Sequence, residues 1–270
     1  DWMGKPEAFG DKEFWSQVGN RIMNADVLNP AYEEFFADKR MLDICVEGQN
    51  RGIVVTPLLK TDEVLNDPHL QERGTFTEVE LASGEIGRIA SGFFELDGSR
   101  HGFTSRAPKL GEHNGFAFTS DRIERKKSVE EIELPLTGVR VLDFGIGGVG
   151  VETSRLLGEY GADVIKVESR TYPDFIRLVA LSETSPSFAS SSRSKRSFGC
   201  NVKTEEGLEI IKKLLEKSDV LVENSASGVM DSLGLGFETL KLINPEIVMV
   251  SSQLVGSSGP NSHWTGYGPT

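Results

Sequence analysis

Residues 139–150, VRVLDFGIGGVG, join an apolar run to a glycine-rich turn. Val139, Val141, Leu142 and Phe144 read as a strand covered on both faces, because such strands are continuously apolar instead of alternating. Gly145, Gly147 and Gly150 then satisfy G-x-G-x-x-G, and a helical pattern runs from Glu152 to Tyr160. A second strand, Asp163–Val167, ends in Glu168, which lies 23 residues after Gly145. Strand, glycine turn, helix and strand make a βαβ unit. An acidic residue at that distance suits the ribose of a nicotinamide dinucleotide. Taken alone, the stretch reads as a dinucleotide-binding Rossmann fold.

Toward the C-terminus the alternation continues. EGLEIIKKLLEK, residues 206–217, places Leu208, Ile211, Leu214 and Leu215 on one helical face. Strands near 219–222 and 247–250 flank the helix candidate GFETLKLIN. Strand–helix alternation with apolar strands predicts a parallel, doubly wound sheet, with helices 151–160 and 206–217 packed on it. Residues 171–200 show no periodicity and read as irregular, and one of two readings of Arg193, Lys195 and Arg196, beside anion binding, is an ordinary basic surface turn.

Toward the N-terminus the pattern changes. FWSQVGNRIM (14–23) and PAYEEFFADKRMLDICVEGQNRG (30–52) read as helices, the second stopping at Gly48 or Gly52. Thr61 reads as the N-cap of another helix. TFTEVEL and IGRIASGFFEL, within 75–96, alternate as two antiparallel strands. Residues 97–134 are rich in glycine and charge and read as a connection, with 116–134 the linker proper. The expected organisation is therefore 1–115, a linker at 116–134, and 135–270.

The 38% hydrophobic and 26% charged content belongs to a folded globular chain. Of the net charge of −12, residues 1–134 carry −9 (16 basic against 25 acidic residues) and the remainder −3 (13 against 16). Neither part offers the basic field that nucleic-acid binding requires. No apolar run approaches about 18 residues, so no membrane span is expected. No signal peptide is visible, and a cytoplasmic location follows as the expectation. Cys45 and Cys200 match no metal or redox spacing and read as reduced thiols, and no metal site is expected. A chain starting at Asp1 and stopping at Thr270 inside a Gly/Pro loop reads as a piece of a longer protein.

Four blocks beyond the glycine loop bear on identity: PLTGVRVLDFGIGGVG…LLGEYGADVIKVES, RSKRSFGCNVKTEEG, SDVLVENSASGVMDSLGLGFETLKLINPEIVMVSSQ and GSSGPNSHWTGYG. In order and spacing they resemble the N-terminal portion of class III coenzyme A transferases of the CaiB/BaiF type, a family that includes α-methylacyl-CoA racemases. KTDEVLNDPHLQERGTFTEVEL and RAPKLGEH resemble that family's C-terminal portion. C-terminal blocks thus precede N-terminal ones, as in a tandem fusion of two transferase units cut across its junction. The resemblance implies an α/β fold: a Rossmann-like sheet in 135–270, preceded by the α+β end of another unit, with a helical small-domain part and returning strands. It implies acyl-CoA and carboxylic acid as substrates, no permanently bound cofactor, and interlocking with the sister half or a homodimer.

The same resemblance nominates site residues. Gly147, Gly148 and Val149 fall where the family brings backbone close to CoA, and Arg170, Lys203 and Asn224 match its CoA contacts. Tyr267 stands where racemase relatives carry a catalytic histidine, and a phenol is a poor proton shuttle at neutral pH. Ser225 and Ser232 replace an aromatic residue and an arginine common in the family. The family's nucleophile is an aspartate expected beyond Thr270. It attacks the thioester, giving an enzyme anhydride and then an enzyme–CoA thioester. Three other readings stay open: a non-catalytic partner half, an acyl-CoA racemase, and an NAD-dependent oxidoreductase favoured by the GIGGVG–Glu168 pairing.

Overall fold

The computed structural model describes residues 2–4, 6–81, 83–115, 134–179 and 185–267. They fall into two compact units, Asp1–Leu59 with Thr265–Thr270, and Lys60–Trp264. The linker expected at 116–134 lies outside the described residues except for Leu134.

The first unit is helical: α1 (Lys12–Ser16), α2 (Val18–Met23), α3 (Ala25–Phe36) and α4 (Met41–Asn50). Asp11 caps α1 by accepting from the Phe14 amide at 2.9 Å. The helix expected to start at Pro30 starts five residues earlier and contains that proline. It also breaks before α4, because Arg40 adopts an extended conformation while the Lys39 ammonium binds the Phe35 carbonyl at 2.6 Å. Gly48 lies inside α4, its Cα facing Val55 and Trp2, and the stop is Gly52 at φ +72°. Trp2 meets Phe35 and Phe36 edge to face. Buried Gln49 ties in the returning segment: its amide donates to the Thr265 carbonyl at 2.9 Å and accepts from the Thr265 N–H at 2.9 Å.

The second unit opens with α5 (Thr61–Leu65) and α6 (Pro68–Glu72), then hairpins β1 (Phe76–Glu80)–β2 (Ile86–Ala90) and β3 (Gly92–Leu96)–β4 (Ser99–Gly102). Thr61 is the first helical residue of α5 and not its cap. The Lys60 N–H binds Glu63 Oε2 at 2.7 Å. IGRIASGFFEL is two strands, broken where the Ser91 amide turns to the Thr75 carbonyl at 2.9 Å. β4 occupies part of the stretch expected to be a connection. Its turn is Asp97-Gly98, with φ +48° and +76°, the left-handed pair that a two-residue hairpin turn needs.

The parallel sheet has the order β7 (Lys195–Gly199), β6 (Asp163–Glu168), β5 (Arg140–Asp143), β8 (Val220–Glu223), β9 (Val248–Ser251). All four pairings are parallel, as expected for the strands read from sequence. Residues 171–200 are not irregular: they hold α8 (Phe175–Val179), α9 (Pro186–Ser191) and edge strand β7. The signal was missed because β7, KRSFG, is polar.

One sheet face carries Leu142 and Leu221 against Ile211 and Leu215 of α10 (Glu205–Leu215), with Leu235 and Leu240, the latter on α12 (Phe237–Ile243). Short α11 (Val229–Ser232) adds Met230 to this cluster. The other face carries Val141, Val164 and Val222, with Leu157 of α7 (Val149–Glu159) packed on it. Apolar strands are thus buried on both sides, which is why they show no alternation. Thr204 caps α10 by accepting from Gly207 N–H at 3.1 Å, with acidic residues in the first turn and lysines in the last. No helix among the described residues is long and apolar enough to cross a membrane.

Candidate functional site

Strand order reverses between β5 and β8, and ligands of open α/β sheets bind beyond the strand carboxyl ends at such a reversal. The glycine loop leaves β5 there, and Asn224 directly follows β8. Arg170 follows β6 and Lys203 follows β7, so the same edge of the sheet carries all four.

The loop is held by side chains from the ends of β5 and β8 and from the residue just before α8. Asp143 Oδ1 accepts from the Gly145 N–H at 2.8 Å. Asn224 grips Ile146 from both sides, its Oδ1 accepting from the Ile146 N–H at 2.7 Å and its Nδ2 donating to the carbonyl at 2.9 Å. Asp174 accepts from the Gly147 N–H at 3.1 Å, and the Gly148 N–H turns back to the Ile146 carbonyl at 3.0 Å. Four successive amides are therefore engaged within the protein. A pyrophosphate-binding glycine loop aims such donors at its ligand instead.

Beneath the loop lie two buried ion pairs. Lys195 Nζ sits 2.8 Å from Asp143 Oδ2 and also donates to the Val151 carbonyl (2.7 Å) and Ser154 Oγ (2.9 Å). Only 2% of the Lys195 side chain and none of Asp143 is exposed, so Lys195 is no part of a surface turn. Alternation along β7 turns it inward while Arg196 stays exposed. Burial pushes the Lys195 ammonium below the ordinary lysine range, and Asp143 pulls it back up. Lys166 Nζ lies 3.1 Å from Asp174 Oδ2 and donates to the Gly145 carbonyl at 2.8 Å. Glu223, also buried, accepts from Ser225 N–H (2.6 Å) and Gln253 Nε2 (2.8 Å). The sequence assigns no site role to Lys166, Asp174 or Glu223, and its basic-turn reading places Lys195 at the surface, where the structure buries it. The available signal was charge placed inside or beside otherwise buried strand positions.

The expected binding residues divide in consequence. Gly147, at φ +74°, is buried, and a Cβ there would collide with the Phe175 ring, so its missing side chain makes room for protein. Gly148 and Val149 are exposed, and nothing lies within 4 Å of a Cβ at Gly148. Gly148, together with Gly147, borders a cavity of about 470 Å³ whose wall includes Glu152, Ile176, Ser187 and Ser190. Arg170 lies exposed in the tight turn from Ser169 to Tyr172, and the Lys203 ammonium stands 5.5 Å from the Tyr172 ring centroid. Asn224 serves the loop in the way described. Glu168, the acidic residue expected to meet a ribose, is paired with Arg177 at 2.8 Å. Tyr267 is exposed and belongs to the first unit.

The block 256–264 is seated within the second unit. His69 is 2% exposed; its Nδ1 accepts from the Asn261 N–H at 3.1 Å, so Nε2 carries the proton toward the Val255 carbonyl 2.9 Å away. The Arg73 guanidinium lies under Gly256 and donates to Ser258 Oγ at 2.5 Å.

The second unit thus combines a parallel α/β sheet, an internally braced glycine loop and cationic residues on the sheet's carboxyl edge. The sequence matches CoA-transferase family III over residues 1–114 and again over 136–270, and the chain belongs to that family. A Mycobacterium tuberculosis protein named "Probable CoA-transferase Rv1866" is 34% identical over 269 residues, 99% of this chain and 34% of that relative. The Mus musculus succinyl-CoA:glutarate CoA-transferase is 38% identical over 49% of this chain and 31% of its own length. A solved CAIB/BAIF family protein from Brucella suis is 33% identical over 50% of this chain and 38% of that structure, with a TM-score of 0.44. The chain thus spans about a third of the length of the curated relatives it matches.

Proposed function

We propose that the full-length polypeptide moves CoA between an acyl-CoA and a free carboxylic acid, and that residues 135–270 hold the CoA. The adenosine-diphosphate end lies by Lys203 and Arg170, where cations offset phosphate charge. The pantetheine crosses the open rim at Gly148 and Val149. The observation that carries this reading is the convergence of Gly148, Asn224, Arg170 and Lys203 on the sheet's carboxyl edge, where strand order reverses.

An aspartate beyond Thr270 supplies the nucleophile. Its carboxylate attacks the thioester carbonyl and expels CoA thiolate, leaving a mixed anhydride. The thiolate then attacks the enzyme's acyl carbon, releasing the donor acid and leaving an enzyme–CoA thioester. The acceptor carboxylate reverses these two steps. The two stretches matched to one family, and a relative aligned along 99% of the chain, support a tandem arrangement in which 1–115 ends one unit and 135–270 begins another. Relatives named for succinyl-CoA make it the donor to assay first.

Calorimetric titration of the full-length protein with CoA and with NAD tests the reading. Binding of CoA, weakened about tenfold by Lys203→Ala (about 1.4 kcal/mol) and less so as salt rises, supports it. Binding of NAD without CoA contradicts it.

A further inference from the structure

Buried ion pairs seldom stabilise a fold beyond what apolar residues of the same volume would supply, because desolvation offsets their attraction. A second buried pair directly under a glycine loop therefore invites a positional explanation. Asp174 is 1% exposed and Lys166 6%. The Asp174 carboxylate accepts from the Gly147 N–H at 3.1 Å, from the Ile176 N–H at 3.0 Å and from Lys166 Nζ at 3.1 Å. Lys166 in turn donates to the Gly145 carbonyl at 2.8 Å. One ion pair thus grips the loop at a carbonyl and at an amide two residues apart. The residue after Asp174 is Phe175, whose ring occupies the space where a Gly147 side chain would stand.

We propose that Asp174, paired with Lys166, is a positioning residue for CoA: it draws Gly147 inward and so fixes Gly148 and Val149 as the exposed rim over which the pantetheine passes. This rests on the CoA reading given above. It also assigns the loop a different role from a phosphate nest. The Gly147 amide is spent on the protein's own carboxylate, so phosphate recognition falls to Arg170 and Lys203, while the loop contributes shape.

The experiment uses the full-length protein with succinyl-CoA as donor, together with pantetheine and adenosine 3′,5′-bisphosphate as competing fragments. The double variant Lys166→Met/Asp174→Ala removes the pair without leaving a buried charge alone. The expected result is a KM for the CoA substrate raised about tenfold with kcat within threefold of wild type. The inhibition constant of pantetheine rises in parallel, and that of the bisphosphate stays within twofold. Asp174→Asn, which still accepts from the Gly147 and Ile176 amides, recovers KM to within threefold of wild type. A residue that served stability alone would shift both fragments alike and in step with the melting temperature, and that result overturns the proposal. So does a folded double variant with wild-type KM. Should the alanine variant not fold, Asp174→Glu keeps the charge but displaces it by one methylene; a raised KM supports the proposal and an unchanged one overturns it. Wild-type protein that binds no CoA overturns the functional reading itself, a failure distinct from unaltered variants in a protein that does bind.

Discussion

Lys195→Met tests the electrostatics beneath the glycine loop. Methionine nearly matches the lysine stem in volume but offers no donor, so Asp143, the Val151 carbonyl and Ser154 Oγ each lose a hydrogen bond made at 2.7–2.9 Å. Asp143 has no exposed surface and, among the described residues, keeps the Gly145 N–H as its one donor, which leaves a buried carboxylate without its counter-charge. Breaking one side of such a pair costs about 3–5 kcal/mol. Adding Asp143→Asn removes the orphaned charge while retaining an acceptor for Gly145 N–H. The double variant should therefore fall only about 1–2 kcal/mol below wild type, the value of the remaining lost hydrogen bonds. Urea unfolding followed by tryptophan emission reports the transition, since Trp264 is buried in the same unit. A single variant within about 1 kcal/mol of wild type, or a double variant no more stable than the single, would refute the reasoning. The pH dependence carries a sign as well. The folded protein holds the Lys195 proton less tightly than the unfolded chain, so stability rises with pH in the window below the ordinary lysine value of 10.5, and that rise disappears in Lys195→Met.

Gly147→Ala should destabilise the protein by about 2 kcal/mol or more, since it meets the Phe175 ring at a left-handed φ, whereas Gly148→Ala should unfold within about 1 kcal/mol of wild type yet weaken CoA binding; thermal melts and calorimetry separate the two. His69→Phe leaves the Asn261 N–H and the Val255 carbonyl unpaired and should cost about 2–4 kcal/mol by denaturant titration. Hydrogen bonds from the Arg106 guanidinium and the Lys109 amide hold the Glu112 carboxyl down to about 2, so NMR titration should find it still ionised at pH 3. Its contribution to local order is complete above 4.5 and lost as pH falls toward 2.

The parallel sheet was legible because β5, β6 and β8 are apolar on both faces, a pattern that amphipathic helices and hairpins do not share. β7 escaped notice: only Phe198 of its five residues is apolar, and Lys195 is buried by an ion pair that no hydrophobicity pattern registers. The β3–β4 hairpin carries a strong turn signal in Asp97-Gly98, but it lies in a stretch whose glycine density mimics a connection. At the site, the family resemblance nominated Asn224, Arg170 and Lys203 alongside the glycine loop, and each of these follows the carboxyl end of a sheet strand. It could not separate Gly147, which accommodates Phe175, from Gly148, which faces open space, since both are bare glycines in the same motif. Nor could it show that Glu168 is taken by Arg177, an ion pair between α8 and the last residue of β6.

The central claim concerns where CoA chemistry takes place, and the covalent intermediate tests it most directly. Full-length protein incubated with succinyl-CoA, reduced with borohydride and digested should yield one modified aspartate, located outside residues 1–270. A modified residue within 1–270 would contradict the placement of the nucleophile, and a protein that transfers CoA with no modified residue would contradict the covalent route.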